Sequence, residues 1–155
     1  VFRELTKTGE PQGAVFNAWL HSTGALGAGV PMQMRTGSGK HVIVDGSVEV
    51  FEPPFRFVHT HRFTQFDDPV CCVSYELKPV GDGVEVTLTV MGMPSGSKTA
   101  KSMASGGNSI LASLKAICET GKPALSTRLM YWMFDHMEFV LPARTKSERW
   151  PLKND

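Results

Sequence analysis

The sequence has few cysteines that could form cross-links, and its net charge is close to zero. Its three cysteines, Cys71, Cys72 and Cys118, are an odd number without a CxxC pair, which argues against a disulfide framework or a thiolate zinc site. Charges nearly cancel at a formal net charge of +1, so nothing electrostatic favours nucleic acid. No signal peptide and no apolar run long enough for a membrane span are visible. We therefore expect a cytoplasmic protein with reduced thiols.

Several nucleotide and catalytic motifs are missing as well. We find no phosphate loop, nucleophile elbow or dinucleotide fingerprint, and therefore expect no cofactor. What remains is an ordinary globular composition of 155 residues, 41% apolar and 20% charged. A chain of this length removes roughly 70% of its extended surface from water on folding, which is enough for one domain with its own core.

The beginning of the chain predicts two short helices. Residues 1–6 place Val1, Phe2 and Leu5 on one helical face, and residues 14–20 carry a second apolar group that includes Trp19. The three glycines of residues 24–29 indicate a loop.

Residues 30–90 alternate apolar and polar side chains, which is the period of a strand. Turn signals at residues 36–39, 53–54, 67–69 and 81–83 divide this region into five strands. Because the turns are short, the strands should pair as an antiparallel meander. Gly46, inside the second of them, indicates a bulge or a close approach of two backbones. Each strand has one apolar face that needs a cover.

A long amphipathic helix from Ser97 to Thr120 would supply that cover. Ser97 suits the N-cap and Gly121 the left-handed C-cap. Inside the helix, Gly106 and Gly107 indicate either a slight kink with close packing on the sheet or a place where the helix is thinned for a ligand.

A second apolar segment, from Ser126 to Leu141, should form another helix. Its apolar residues cover more than one narrow stripe, which is typical of a helix buried on both sides or docked on a partner. Its methionines could close the mouth of a pocket or form the seam of a homodimer. Membrane contact is disfavoured because Lys and Arg are sparse beside it.

Six segments of the chain follow one another in a recognisable order: VFRELT at residues 1–6, EPPFRFV at 52–58, YELKP at 75–79, GDGVEVTLT at 81–89, SILASLK at 109–115 and ETGKP at 119–123. Together, and in the same order, they resemble the activator-of-heat-shock-chaperone-ATPase homologues of the SRPBCC superfamily. The superfamily also holds START lipid-transfer domains, birch-pollen-allergen-like proteins and polyketide cyclases. The resemblance covers residues 1–123, and Asn108 departs from it by standing where the family usually has Trp.

The resemblance implies an α+β helix-grip fold, in which a curved antiparallel sheet grips a long C-terminal helix around a cavity. It also implies that the family's first strand precedes Val1. We expect residues 1–123 to form this domain and residues 124–155 to form a C-terminal helical extension.

Two histidines are the leading candidates for polar groups in such a cavity. His59 and His61 are two residues apart and share one side of their strand with Phe55, Phe57 and Phe63. They either enter the pocket, where neutral imidazoles could orient a ligand carbonyl or hydroxyl, or turn outward into solvent. No third ligand has suitable spacing for a metal.

Other residues should line the same cavity. Tyr75 lies on an inward face, where it either offers its hydroxyl to a ligand or belongs to the core. The remaining predicted lining is apolar or small and comprises Met32, Met34, Val48, Val73, Met103, Gly107 and Leu111.

The leading functional hypothesis is the binding of a hydrophobic or amphipathic small molecule between the sheet and the long helix. One alternative is a co-chaperone-type activator of a heat-shock chaperone ATPase that works through its outer surface. Another is a polyketide cyclase or aromatase-like enzyme, which would have to use His59, His61 and Tyr75. We favour binding over catalysis.

Overall fold

An antiparallel meander of seven strands forms the body of the protein. The structure is a computed structural model that describes residues 1–152. The strands lie side by side in chain order, so every neighbour in sequence is a neighbour in the curled sheet. The elements are α1 (Phe2–Thr6), β1 (Pro11–Gln12), β2 (Ala18–Ser22), β3 (Pro31–Arg35), β4 (Val42–Glu52), β5 (Arg56–Phe63), β6 (Cys71–Val80), β7 (Gly83–Met91), α2 (Lys98–Thr120), α3 (Leu125–His136) and 3-10 turns at Glu138–Val140, Ala143–Thr145 and Ser147–Arg149.

The predicted helix at residues 14–20 is wrong. The chain makes a tight turn after β1, in which Phe16 and Asn17 both have positive φ, at 51° and 58°. A right-handed helix cannot pass through that conformation. β2 follows at once and pairs with β3, so its backbone groups are satisfied by the sheet. The meander therefore has two strands more than the five expected.

The other five strands are confirmed as β3 to β7, and so is the close approach at Gly46. A Cβ atom at Gly46 would collide with the carbonyl oxygen of Thr60 on β5. The neighbouring backbone N–H of Ser47 donates to Thr60 Oγ1 at 2.8 Å. Phe55 departs from the expected pattern, because it lies in the turn before β5 and is 55% exposed.

The long helix is also confirmed. Ser97 caps its N-terminus by accepting from the backbone N–H of Ala100 at 3.0 Å, and Gly121 ends it in the left-handed conformation at φ 80°. The side that α2 buries carries Met103, Ile110 and Leu114, which join the core of the sheet. A Cβ atom at Gly107 would lie 3.3 Å from Leu88 Cδ2, so this glycine serves close packing on β7.

The helix predicted from Ser126 to Leu141 is shorter than expected. α3 ends at His136 instead of Leu141, and a 3-10 turn follows. One face of α3 is fixed to the body because the Tyr131 hydroxyl donates to the carbonyl of Gly13 at 2.8 Å. No helix within residues 1–152 has the length and apolarity that crossing a bilayer requires.

Beyond α3 the chain returns along the β3–β4 hairpin and covers the outer face of the sheet. His41 Nδ1 lies 2.8 Å from Thr145 Oγ1, which holds this return segment against the hairpin. Further along, Gln33 Nε2 donates to the Trp150 carbonyl at 3.0 Å, and the Arg62 guanidinium lies 5.3 Å from the centre of the Trp150 ring. This part of the outer face therefore carries a covered polar layer.

The close contact between the backbones of Gly46 and Thr60 can be tested by substitution. Gly46→Ala should lower the free energy of unfolding by about 3 kcal/mol, because the added methyl group forces β4 away from the Thr60 carbonyl. Urea unfolding monitored by circular dichroism measures it. Gly24→Ala is the matched control, since a Cβ atom there meets nothing within 4 Å and its effect should stay within about 0.5 kcal/mol. Equal effects of the two substitutions would contradict this account.

Candidate functional site

β5 places two imidazoles inside the protein. His59 pairs across the sheet with Val48 on β4 and Val73 on β6, and His61 pairs with Cys71. His59 has no exposed surface and His61 is 6% exposed. The outward, solvated alternative for these two histidines does not apply.

The imidazoles belong to a row of rings along the inner face. Neighbouring ring centres lie 5.1 Å apart for Phe57 and His59, 5.7 Å for His59 and His61, and 4.6 Å for His61 and Phe63. The Tyr75 ring stacks 6.3 Å from His59. Two polar rings thus interrupt an otherwise apolar row.

The hydrogen bonding of this pair is incomplete. His59 Nδ1 lies 2.8 Å from the carbonyl oxygen of Thr60, which can only accept, so Nδ1 carries the proton and Nε2 is an acceptor. His59 Nε2 and His61 Nε2 are both buried, and neither has a hydrogen-bond partner among residues 1–152. A buried polar atom without a partner costs about 1–3 kcal/mol. The inner face therefore offers unused hydrogen-bonding capacity on two neighbouring imidazoles, whose ring centres lie 5.7 Å apart.

Burial also fixes the charge of the pair. Desolvation lowers the pKa of His59 to about 4. Desolvation, together with repulsion from His59, lowers the pKa of His61 to about 3. Burial raises the pKa of Tyr75 and of the Cys71 thiol, so both stay protonated near neutral pH. The interior is therefore a neutral environment whose polar groups act by hydrogen bonding.

The other predicted lining residues fall into two groups. One group joins Tyr75 in a single buried cluster and comprises Met32, Met34, Val48, Val73 and Met103. The other lies along α2, where Gly107 is buried against Leu88 and Leu111 is only half-buried beside the buried Ile110. The side chains of the first group pack against one another. That they line a ligand site stays a prediction.

Two clefts at the far end of α2 were not expected from the sequence. The larger, of about 450 Å³, lies between α1, the end of α2 and α3 and is bordered by Lys7, Asn17, Arg128 and Asp135. A smaller one, of about 180 Å³, separates α2 from α3. Both exist only because α3 docks there, and no local pattern encodes that docking. Within residues 1–152 no three His, Cys, Asp or Glu side chains are grouped so that they could hold a metal ion.

A curled antiparallel sheet, closed by one long helix over a buried aromatic and imidazole row, defines the class of protein: a helix-grip domain of the α+β type. The chain belongs to the AHSA1 family, described as "Activator of Hsp90 ATPase homolog 1-like protein", whose model matches residues 13–119. The family match confirms the resemblance over residues 13–119 and places the chain in the SRPBCC superfamily.

A solved structure shows the same fold. The crystal structure of DynU16, a protein of the dynemicin biosynthetic locus, is similar with a TM-score of 0.57 and 21% sequence identity over 72% of this chain. This chain spans 40% of the length of that protein. Comparison with curated proteins gave no significant match.

The buried pair predicts how stability depends on pH. The unfolded histidines take up protons near pH 6.5, whereas the folded ones resist protonation down to about pH 4 and 3. Stability should therefore be level above pH 7 and fall by up to about 2.7 kcal/mol per pH unit between pH 6 and 4 from these two groups together.

Urea unfolding at pH 7, 6 and 5 measures that slope. His61→Phe should remove about half of it, because one of the two groups no longer titrates. His41→Gln, in the β3–β4 hairpin where the ring contacts Thr145, is the control and should keep the slope of the original protein. A slope unchanged by His61→Phe would show that the pair does not control it.

Proposed function

We propose that this domain binds an amphipathic small molecule inside the grip, with a polar group of the ligand at His59 and His61. The single observation that supports this most strongly is the pair of buried Nε2 atoms without hydrogen-bond partners. Buried polar atoms without a hydrogen-bond partner are uncommon in protein cores. A ligand that supplied the missing hydrogen bonds would account for these two.

The chemistry of the pair narrows the ligand class. His59 Nε2 can only accept while Nδ1 is bonded to Thr60, so the ligand should carry a donor such as a hydroxyl, an enol or an amide N–H. Both imidazoles are neutral, so a fully ionised carboxylate or phosphate gains no charge partner there.

The apolar part of the ligand would lie against the inner face. Met32, Met34 and Met103 belong to the same buried cluster as Phe57 and Tyr75, whose ring centres lie 5.1 and 6.3 Å from that of His59. Methionine side chains are flexible and adapt to irregular shapes, so they can yield to a ligand at a smaller cost than branched residues. Each Å² of apolar ligand surface removed from water contributes about 25 cal/mol. The ligand would enter by displacing these side chains as α2 moves away from the sheet.

His61→Phe separates this proposal from a purely structural role. Without ligand, the variant should be within about 1 kcal/mol of the original protein or more stable, because an unpartnered polar ring is replaced by an apolar ring of similar shape. A lipid extract that raises the melting temperature of the original protein should raise that of the variant much less. Thermal unfolding with and without extract measures both, and mass spectrometry identifies what is retained.

The matched control is His41→Gln, since His41 contacts Thr145 on the return segment, away from the inner face. Its ligand-induced shift should equal that of the original protein. If the extract produces no shift in any of the proteins, or an equal shift in His61→Phe, the histidine pair is not the binding site.

The family description favours a second candidate, activation of the ATPase of a heat-shock chaperone. Such a partner would contact the outer surface, where Arg56 and Glu76 form a cross-strand ion pair of 3.8 Å. The test is the ATPase rate of the chaperone with and without this protein. On this hypothesis Arg56→Glu should reduce the stimulation and His61→Phe should leave it unchanged.

We further propose that the ligand-binding unit corresponds to residues 1–123 and that residues 124–155 are an extension, of which residues 153–155 lie outside the described part. The unpaired thiols Cys71, Cys72 and Cys118 support a reducing, cytoplasmic setting.

A further inference from the structure

The outward face of α3 is apolar along its whole length. Leu125 is 78% exposed, Leu129 65% and Trp132 58%, whereas Tyr131 on the same helix is buried and faces the body. Met133 widens this stripe, and the Trp132 ring is covered in part by His136 at 4.3 Å between ring centres. The spacing of Leu125, Leu129, Trp132 and His136 alternates four and three residues, which is the spacing of a seam between two helices.

Two charges beside the stripe indicate what covers it. Arg128 and Asp135 are seven residues apart, so they lie on the same flank of the stripe two turns apart, the flank that also borders the larger cleft. Neither belongs to an ion pair formed within the described part of the chain.

In one symmetric arrangement of two copies of the chain, the charges on one copy are complementary to those on the other. When two identical helices pack antiparallel about a twofold axis, equivalent flanks face each other, and Arg128 of one copy meets Asp135 of the other, twice. In a parallel pair Arg128 would instead face Met133 of the second copy. The charge pattern therefore selects a second copy of this chain in the antiparallel orientation.

The seam itself has a large exposed apolar surface. Trp132 is 58% exposed, which at 150–250 Å² per fully buried ring corresponds to roughly 90–150 Å². Leu125, Leu129 and Met133 lie on the same side of α3 and add to this area.

We propose that α3 joins two copies of this chain in an antiparallel homodimer, with Leu125, Leu129 and Trp132 in the seam. This inference is independent of the ligand proposed for the grip, because it uses the face of α3 that points away from the sheet.

Reversal of the two charges tests the orientation as well as the dimer. The full chain should sediment as a dimer whose dissociation constant rises about tenfold in Arg128→Asp and in Asp135→Arg, since each change turns both ion pairs into like-charge pairs. The double variant restores opposite charges and should return to within about threefold of the original value. Analytical ultracentrifugation over a range of protein concentrations measures all four proteins.

Two further variants complete the design. Trp132→Glu should give a monomer with unchanged circular dichroism, and Lys115→Glu, on an exposed position of α2, should leave the dimer intact. A monomer at every concentration would overturn the proposal, and so would a double variant as weak as the single ones. Binding of a monomeric chain to phosphatidylcholine vesicles, or to an added amphipathic peptide, would assign the stripe to that occupant instead.

Discussion

The packing of α2 on the inner face of the sheet is the interaction on which the rest of the structure depends. A single-layer sheet buries its apolar side only if another element covers it, and here one helix must serve strands β3 to β7. Gly107 lets α2 approach Leu88 on β7, while Met103, Ile110 and Leu114 reach into the same cluster as Tyr75 and Val73. Residues as far apart in the chain as Leu5 and Leu114 therefore share one core, and local changes in the sheet are felt by the helix.

That core contains a feature which stability alone does not explain. Two neutral imidazoles lie among Phe57, Phe63 and Tyr75, and their Nε2 atoms are unpartnered within the described residues. Phenylalanine at either position would remove the cost of burying an unpaired nitrogen. Positions where an otherwise consistent core departs from the apolar rule are most often those that bind something. This physical argument makes the inner face, and not the clefts beside α3, the favoured ligand site.

Local periodicity predicted the elements that are amphipathic on their own. β3 to β7 alternate clearly, and α2 has both of its caps in the sequence, so these elements and their order could be derived. Residues 14–20 could not, because their apolar side chains suit a helix as well as a strand, and the choice is made by the positive φ at Phe16 and Asn17 and by pairing with β3. The sequence also could not predict that Trp150 covers Gln33 and Arg62, since this contact joins residues about a hundred positions apart. For the site, the shared face of His59 and His61 followed from their spacing, whereas the absence of partners around them depends on the packing of four other strands and a helix.

The two faces of α3 would keep the proposed ligand binding separate from the proposed self-association. Its inner face is held by the bond from Tyr131 to Gly13 and packs over the end of α2, where Ile117 and Pro123 lie against the same glycine. Its outer face touches none of the residues in the histidine row, and the ligand and the second copy would therefore compete for no surface. A substitution on the outer stripe should leave the unpaired nitrogens of β5 as they are, and a substitution at His61 should leave the stripe as it is. Any influence of one event on the other would have to pass through a movement of α2, because α2 covers the inner face of the sheet and the inner face of α3 packs over its end.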